Sequence, residues 1–108
     1  MYIEFRNKKI EKICNNFEIA KKKYNVTVAK KIVQRLNEFR ASKNFKVFCS
    51  LKSHRCHKLS GDYDEKFAVY LDGKTRLIFS IISDKDLHDI DFEEVLGVII
   101  EEVTDYHG

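Results

Sequence analysis

The sequence predicts an α+β domain in which two antiparallel N-terminal helices pack on one face of a mostly antiparallel sheet. Two changes of pattern along the chain carry that expectation. Apolar residues recur at helical spacing as far as about Ala41, and from Phe67 they alternate with a period of two before an apolar, β-type run over residues 95–103. Between two alternating stretches stands Asp72-Gly73, where a hairpin turn belongs.

Residues 2–5 read as a short strand, and Asn7 follows as a turn residue able to cap a helix. Ile10, Ile13, Cys14 and Phe17 then fall at i, i+3, i+4 and i+7, one apolar stripe with Lys8, Lys9 and Lys12 off it. Asn15-Asn16 is a point of interruption before Lys21-Lys22-Lys23. Thr27 offers an N-cap to a second helix, in which Val28, Ile32, Leu36 and Phe39 face inward while Lys30, Lys31, Gln34 and Arg35 decorate the rest. Residues 42–53 read as a linker. In the hairpin, Phe67, Val69 and Leu71 alternate with Lys66, Ala68 and Tyr70; the second arm, residues 75–82, puts Leu77, Phe79 and Ile81 on one face and Arg76 on the other beside Ile78 and Ser80. Residues 84–94 form an acidic loop. Glu101-Glu102 breaks the alternation of the last strand, which predicts a bulge or an exit from the core there.

At 108 residues the chain is close to the commonest domain size, so a single domain over 1–108 is expected. With 44% apolar and 34% charged residues its composition is that of a globular protein rather than a disordered one. The N-terminal residues lack the apolar segment of a secretory signal, and no run approaches the roughly 18 apolar residues of a membrane span. A soluble, cytoplasmic protein without a membrane partner is the expectation. Cys14, Cys49 and Cys56 are an odd number without a Cys-x-x-Cys pair, which favours reduced thiols over a disulfide framework. The net charge of +3 conceals a split: residues 1–58 hold 16 Lys/Arg against 4 Asp/Glu, or +12, and residues 59–108 hold 4 against 13, or −9. The first half is therefore suited to a polyanion, because each Lys or Arg near a phosphate can release condensed counterions.

Chemistry concentrates at three places. Asp105-Tyr106-His107 closes a strand with three groups able to exchange protons or hydrogen-bond to a phosphate; His57 lies in Arg55-Cys56-His57-Lys58; Arg76 follows the hairpin turn. Together they form an acid-base set around a cation with no need of a metal. Cutting RNA this way requires a base for the ribose 2′-hydroxyl, an acid for the departing 5′-oxygen and a cation beside the phosphorane. Histidine suits both proton roles near neutrality, and the guanidinium fork of Arg76 matches phosphoryl oxygens without losing its charge. Tyr106 could donate to phosphate or stack on an unpaired base, and Asp105 shares strand parity with His107. Lys30, Lys31 and Lys58 are candidate RNA or ribosome contacts, of the kind that positions rather than reads sequence. A metal site is weaker, since His54, Cys56 and His57 are crowded together in sequence.

At these residues the chain resembles the HigB-like (plasmid killer, host growth inhibition) branch of the RelE/ParE toxins. The likeness runs from Phe5-Arg6-Asn7-Lys8-Lys9-Ile10-Glu11-Lys12 through Arg55-Cys56-His57-Lys58-Leu59-Ser60-Gly61-Asp62 and the Leu71-Asp72-Gly73 turn with Arg76-Leu77-Ile78-Phe79 to Asp105-Tyr106-His107. Such a resemblance implies a compact RelE-like fold and a ribosome-dependent endoribonuclease that cuts mRNA in the ribosomal A site, inhibiting translation. It also implies a cognate antitoxin partner, no cofactor, and functional positions at His57, Arg76, Asp105, Tyr106 and His107. Several relatives carry lysine where this chain has Ser60. Two other readings stay open: a ParE-like gyrase-inhibiting toxin, and a catalytically inactive module that binds RNA or antitoxin.

Overall fold

A computed structural model of the chain describes residues 1–105; Tyr106 and His107, two of the sequence-predicted site residues, lie outside them with Gly108. In chain order the elements are β1 (Tyr2–Phe5), α1 (Lys8–Asn15), α2 (Phe17–Lys23), α3 (Val26–Ala41), α4 (Phe45–Ser50), β2 (His57–Lys58), β3 (Phe67–Tyr70), β4 (Thr75–Ile81) and β5 (Gly97–Asp105), with short 3₁₀ turns at Gly61–Tyr63 and Phe92–Glu94. The α+β class is as expected. Five strands form one mixed sheet in the order β1-β5-β4-β3-β2, antiparallel throughout except that β1 runs parallel to β5. No helix among the described residues is long and apolar enough to cross a membrane.

Asparagine starts every helix. The side-chain oxygens of Asn7, Asn16, Asn25 and Asn44 each accept the amide N–H three residues on, at 3.0, 3.2, 2.8 and 2.9 Å, which satisfies one of the donors a helix N-terminus leaves open. These caps redraw the expected boundaries. Asn16 ends α1 and starts α2, so Phe17 does not continue the Ile10-Ile13-Cys14 stripe; it begins a new helix and is 36% exposed. Asn25, not Thr27, caps α3. The expected linker holds α4, whose Phe45 and Phe48 are fully buried, a segment too short for helical periodicity to declare itself.

The helices cover one face of the sheet. Phe39, Phe45, Phe48, Phe67 and Phe79 meet there edge-on or stacked, with centroids 4.1 to 6.3 Å apart, among Val69, Leu77, Val98, Ile100 and Val103. The opposite face carries only a small apolar cluster, Leu59, Ala68 and Ile78 with Tyr63 packed against it. The bulge expected at Glu101-Glu102 is present: Ile78 pairs with Glu102 and Phe79 with Ile100, leaving Glu101 unopposed. It turns both carboxylates to the sparsely covered face, where Glu101 accepts from Ser80 at 2.7 Å and lies 3.4 Å from Lys66, and Glu102 accepts from Tyr63 at 2.7 Å.

Candidate functional site

Strand register places the site residues. His57 of β2 pairs with Ala68 of β3, which pairs with Ile78 of β4; one step along, Tyr70 pairs directly with Arg76. Because paired residues share a face and alternate residues return to it, His57, Tyr70 and Arg76 all lie on the face away from the helices. Arg76 is on the side the alternation assigned it, opposite Leu77 and Phe79.

The hairpin turn is built by an aspartate rather than a glycine. Asp72 accepts the amide N–H groups of Lys74 and Thr75 at 3.0 and 2.7 Å, an Asx turn in a four-residue loop, and the φ of Gly73 is not positive. Burial alone would raise the Asp72 carboxyl, but the two amides outweigh it and hold it below its ordinary value. Closing the loop leaves its carbonyls pointing inward, and Arg76 collects them: its guanidinium donates to the carbonyls of Asp72 and Thr75 at 2.8 and 3.0 Å and to that of Gly73 at 3.5 Å. It also stacks on the Tyr70 ring, 3.4 Å from the centroid. Arg76 is thus 7% exposed and held by backbone, with no carboxylate in ion-pair range among the described residues.

His57 is exposed on its short edge strand. Its Nδ1 lies 3.0 Å from the Arg55 carbonyl, which can only accept, so Nδ1 carries the proton of the neutral ring and Nε2 keeps a lone pair toward solvent. Arg55 adopts φ 51°, a left-handed conformation that costs a non-glycine residue about 1 kcal/mol or more. Its guanidinium lies 4.9 Å from the Tyr70 ring, so Tyr70 is attended by two cations. Hydrogen bonding from Arg55 and the charge of Arg76 push its phenol below the ordinary value.

Two buried side chains set the loop before His57. Arg35, read from the helical pattern as surface decoration, is 2% exposed: it pairs with Glu38 at 2.8 Å and donates to the carbonyls of Tyr70 and Ser53 at 2.7 and 3.4 Å, tying α3 to the end of β3. Its position flanking the Ile32-Leu36 stripe gave no signal of this role, since only the packed sheet supplies the carbonyls. His54 is fully buried, stacked on Phe48 at 4.1 Å, with Nε2 donating to the Phe48 carbonyl at 2.9 Å and Nδ1 accepting from the Cys56 amide at 3.2 Å. Burial pushes its imidazole down, so it is a neutral scaffold histidine.

The remaining candidates are dispersed. Lys58 has the opposite strand parity to His57 and lies 3.3 Å from Asp64. Asp105 pairs with Thr75 and accepts from its hydroxyl at 3.3 Å, on the parity of Leu77 and opposite that of Arg76. Lys30 is exposed and Lys31 half-buried on α3, behind the sheet from His57. The structure therefore groups His57 and Arg76 on one face and adds Arg55 and Tyr70, which sequence reasoning passed over. Period-two alternation could have found Tyr70, since it shares the parity of His57's neighbour Ala68.

The arrangement is an α+β domain of RelE/YoeB-like toxin fold, with a basic and aromatic cluster beside an open-faced histidine. A YoeB/ParE toxin from Agrobacterium tumefaciens superposes with a TM-score of 0.59 at 8% identity, covering 99% of this chain and 100% of its own. The YoeB-YefM complex from Staphylococcus aureus gives 0.58 at 15% identity over 100% and 98%, and a mutant of YafQ from E. coli gives 0.53 at 13% over 95% and 90%. At such identities the likeness is one of fold. No protein-family model and no curated protein matches the sequence.

Proposed function

We propose that this chain is the toxin of a type II toxin-antitoxin pair, of the HigB-like branch, and that it cuts mRNA on the ribosome as a single cytoplasmic domain. The observation that carries the reading is His57, whose Nε2 is left open by the Nδ1–Arg55 contact, on the same sheet face as the Tyr70-Arg76 pair. His57 takes the proton of the 2′-hydroxyl, Arg76 lends positive charge to the phosphorane, and the 2′-oxygen closes on phosphorus to leave a 2′,3′-cyclic phosphate and a 5′-hydroxyl. Tyr106, His107 and Asp105 complete the set by resemblance, with Tyr106 holding the RNA and His107 a second proton-transfer group. Histidine and arginine cover the chemistry, so it needs no metal. The toxin fold and the solved complex of one neighbour with YefM support an antitoxin partner, and the basic helices suit ribosomal RNA.

Translating ribosomes supplied with the protein, followed by mapping of mRNA 5′ ends, test the reading. Cleavage confined to A-site codons, retained in EDTA with ribosome integrity controlled separately, is expected; loss in His57→Ala completes the result. Intact mRNA together with stalled gyrase would establish the ParE-like alternative, which the YoeB/ParE neighbour keeps in view.

A further inference from the structure

A phenol between two guanidiniums is an unusual use of a strand position. Tyr70 sits directly opposite Arg76 and diagonally across from His57, a separation of roughly 7–8 Å between Cα atoms on neighbouring strands. A phosphodiester between those side chains would present its two reacting oxygens to two different groups. His57 has an open lone pair, so it can accept a proton. Among the described residues of this face, guanidinium groups do not lose protons in proteins, and the Tyr63 hydroxyl and Lys66 ammonium are directed at Glu102 and Glu101. Arg76 is further restricted, because N–H groups directed at Asp72, Gly73 and Thr75 are already committed.

We infer that Tyr70 is a catalytic residue of this site, the donor of the proton to the departing 5′-oxygen. The inference rests on the nuclease reading above. In the balanced step the 2′-hydroxyl proton passes to His57 Nε2, the 2′-oxygen–phosphorus bond forms, the phosphorus–5′-oxygen bond breaks, and the Tyr70 hydroxyl proton goes to the 5′-oxygen. A phenolate remains, with Arg76 stacked 3.4 Å away and Arg55 4.9 Å away to stabilise it. Solvent returns the proton from imidazolium to phenolate and restores both groups. The same cations favour the charged phenol in the free protein, which holds its pKa below the ordinary value. Donation by Tyr70 replaces the proton-transfer role that resemblance alone gave to His107, which then contacts RNA.

The test uses the full chain on translating ribosomes, in single turnover, with mRNA carrying either an ordinary linkage or a 5′-bridging phosphorothiolate at the cleaved position. A thiolate departs without a proton, so loss of the general acid is repaired by sulfur while loss of the base is not. Tyr70→Phe keeps the ring and its stacking, and should slow cleavage of the ordinary linkage by roughly 10²-fold or more. It should approach the parent rate on the sulfur linkage. His57→Ala should stay slow on both, and Arg55→Ala should resemble Tyr70→Phe more mildly. An ordinary rate for Tyr70→Phe, or sulfur rescue of His107→Gln in its place, would make Tyr70 a spacer between two arginines and overturn the inference. No cleavage by the parent protein would instead reject the nuclease reading itself, and this inference with it.

Discussion

Arg76 performs two tasks with one side chain. It ties off the 72–75 loop by hydrogen bonds to three carbonyls, and it presents charge beside Tyr70. Arg76→Ala should therefore lose both: single-turnover cleavage slower by roughly 10²- to 10³-fold, and unfolding free energy in urea lower by about 1.5–3 kcal/mol, since charged donors to buried carbonyls are removed. A variant with normal stability and normal saturating cleavage would contradict the assigned role. His54 makes a prediction of the opposite kind, on stability alone. Its folded imidazole titrates below the ordinary value because charging it inside the Phe48 contact is unfavourable. The unfolded chain consequently binds the proton first as pH falls. The stability contribution is complete above the ordinary histidine value near 6.5 and is lost progressively below it. Urea denaturation at about pH 7.5 and about pH 5.5 should show the drop, and His54→Gln should flatten it.

The helices depend on their asparagines more than on their apolar stripes for where they begin. Asn25→Ala should cost about 1 kcal/mol of unfolding free energy, while Thr27→Ala, inside the first turn of α3, should cost little; equal losses would mean that the cap at 2.8 Å carries no weight. Apolar periodicity located the bodies of α1 and α3, because Ile10, Ile13 and Cys14, then Val28, Ile32, Leu36 and Phe39, bury one stripe each. It missed α4, whose six residues cannot repeat a period twice. Alternation located the hairpin and its faces, and the paired carboxylates located the bulge, since two acidic side chains cannot both point into an apolar core.

Across the whole molecule the charge split survives folding. Among the described residues only Lys46–Glu93 and Lys58–Asp64 join the basic half to the acidic half as ion pairs, so most of the lysines on α1 to α3 stay unneutralised. These helices lie behind the sheet from His57, so under the proposed function ribosome binding and chemistry fall on opposite sides of the sheet. Reversing charge in a Lys30→Glu, Lys31→Glu double variant should weaken ribosome binding and flatten the slope of log affinity against log salt by about 2, with cleavage at saturation unchanged. Unaltered binding would reduce both lysines to solvation. The same surface is attractive to an acidic antitoxin, whose association should then slow as salt rises.

By itself the sequence determined the α+β class, the hairpin, the bulge and the side of the sheet on which Arg76 lies, because periodicity and turn chemistry act between near neighbours. It also carried the resemblance that pointed to a RelE-like fold. Only the tertiary structure decided that β1 closes the sheet in parallel against β5, that Arg35 is a buried clamp rather than a surface charge, and that Arg55 and Tyr70 belong with His57 and Arg76. The physical reason is common to all three. β1 against β5, Arg35 on the Tyr70 carbonyl and Arg55 beside the Tyr70 ring each join groups more than a dozen residues apart, and a side chain's partner across that distance is set by the packed sheet and its register rather than by any local pattern of residues.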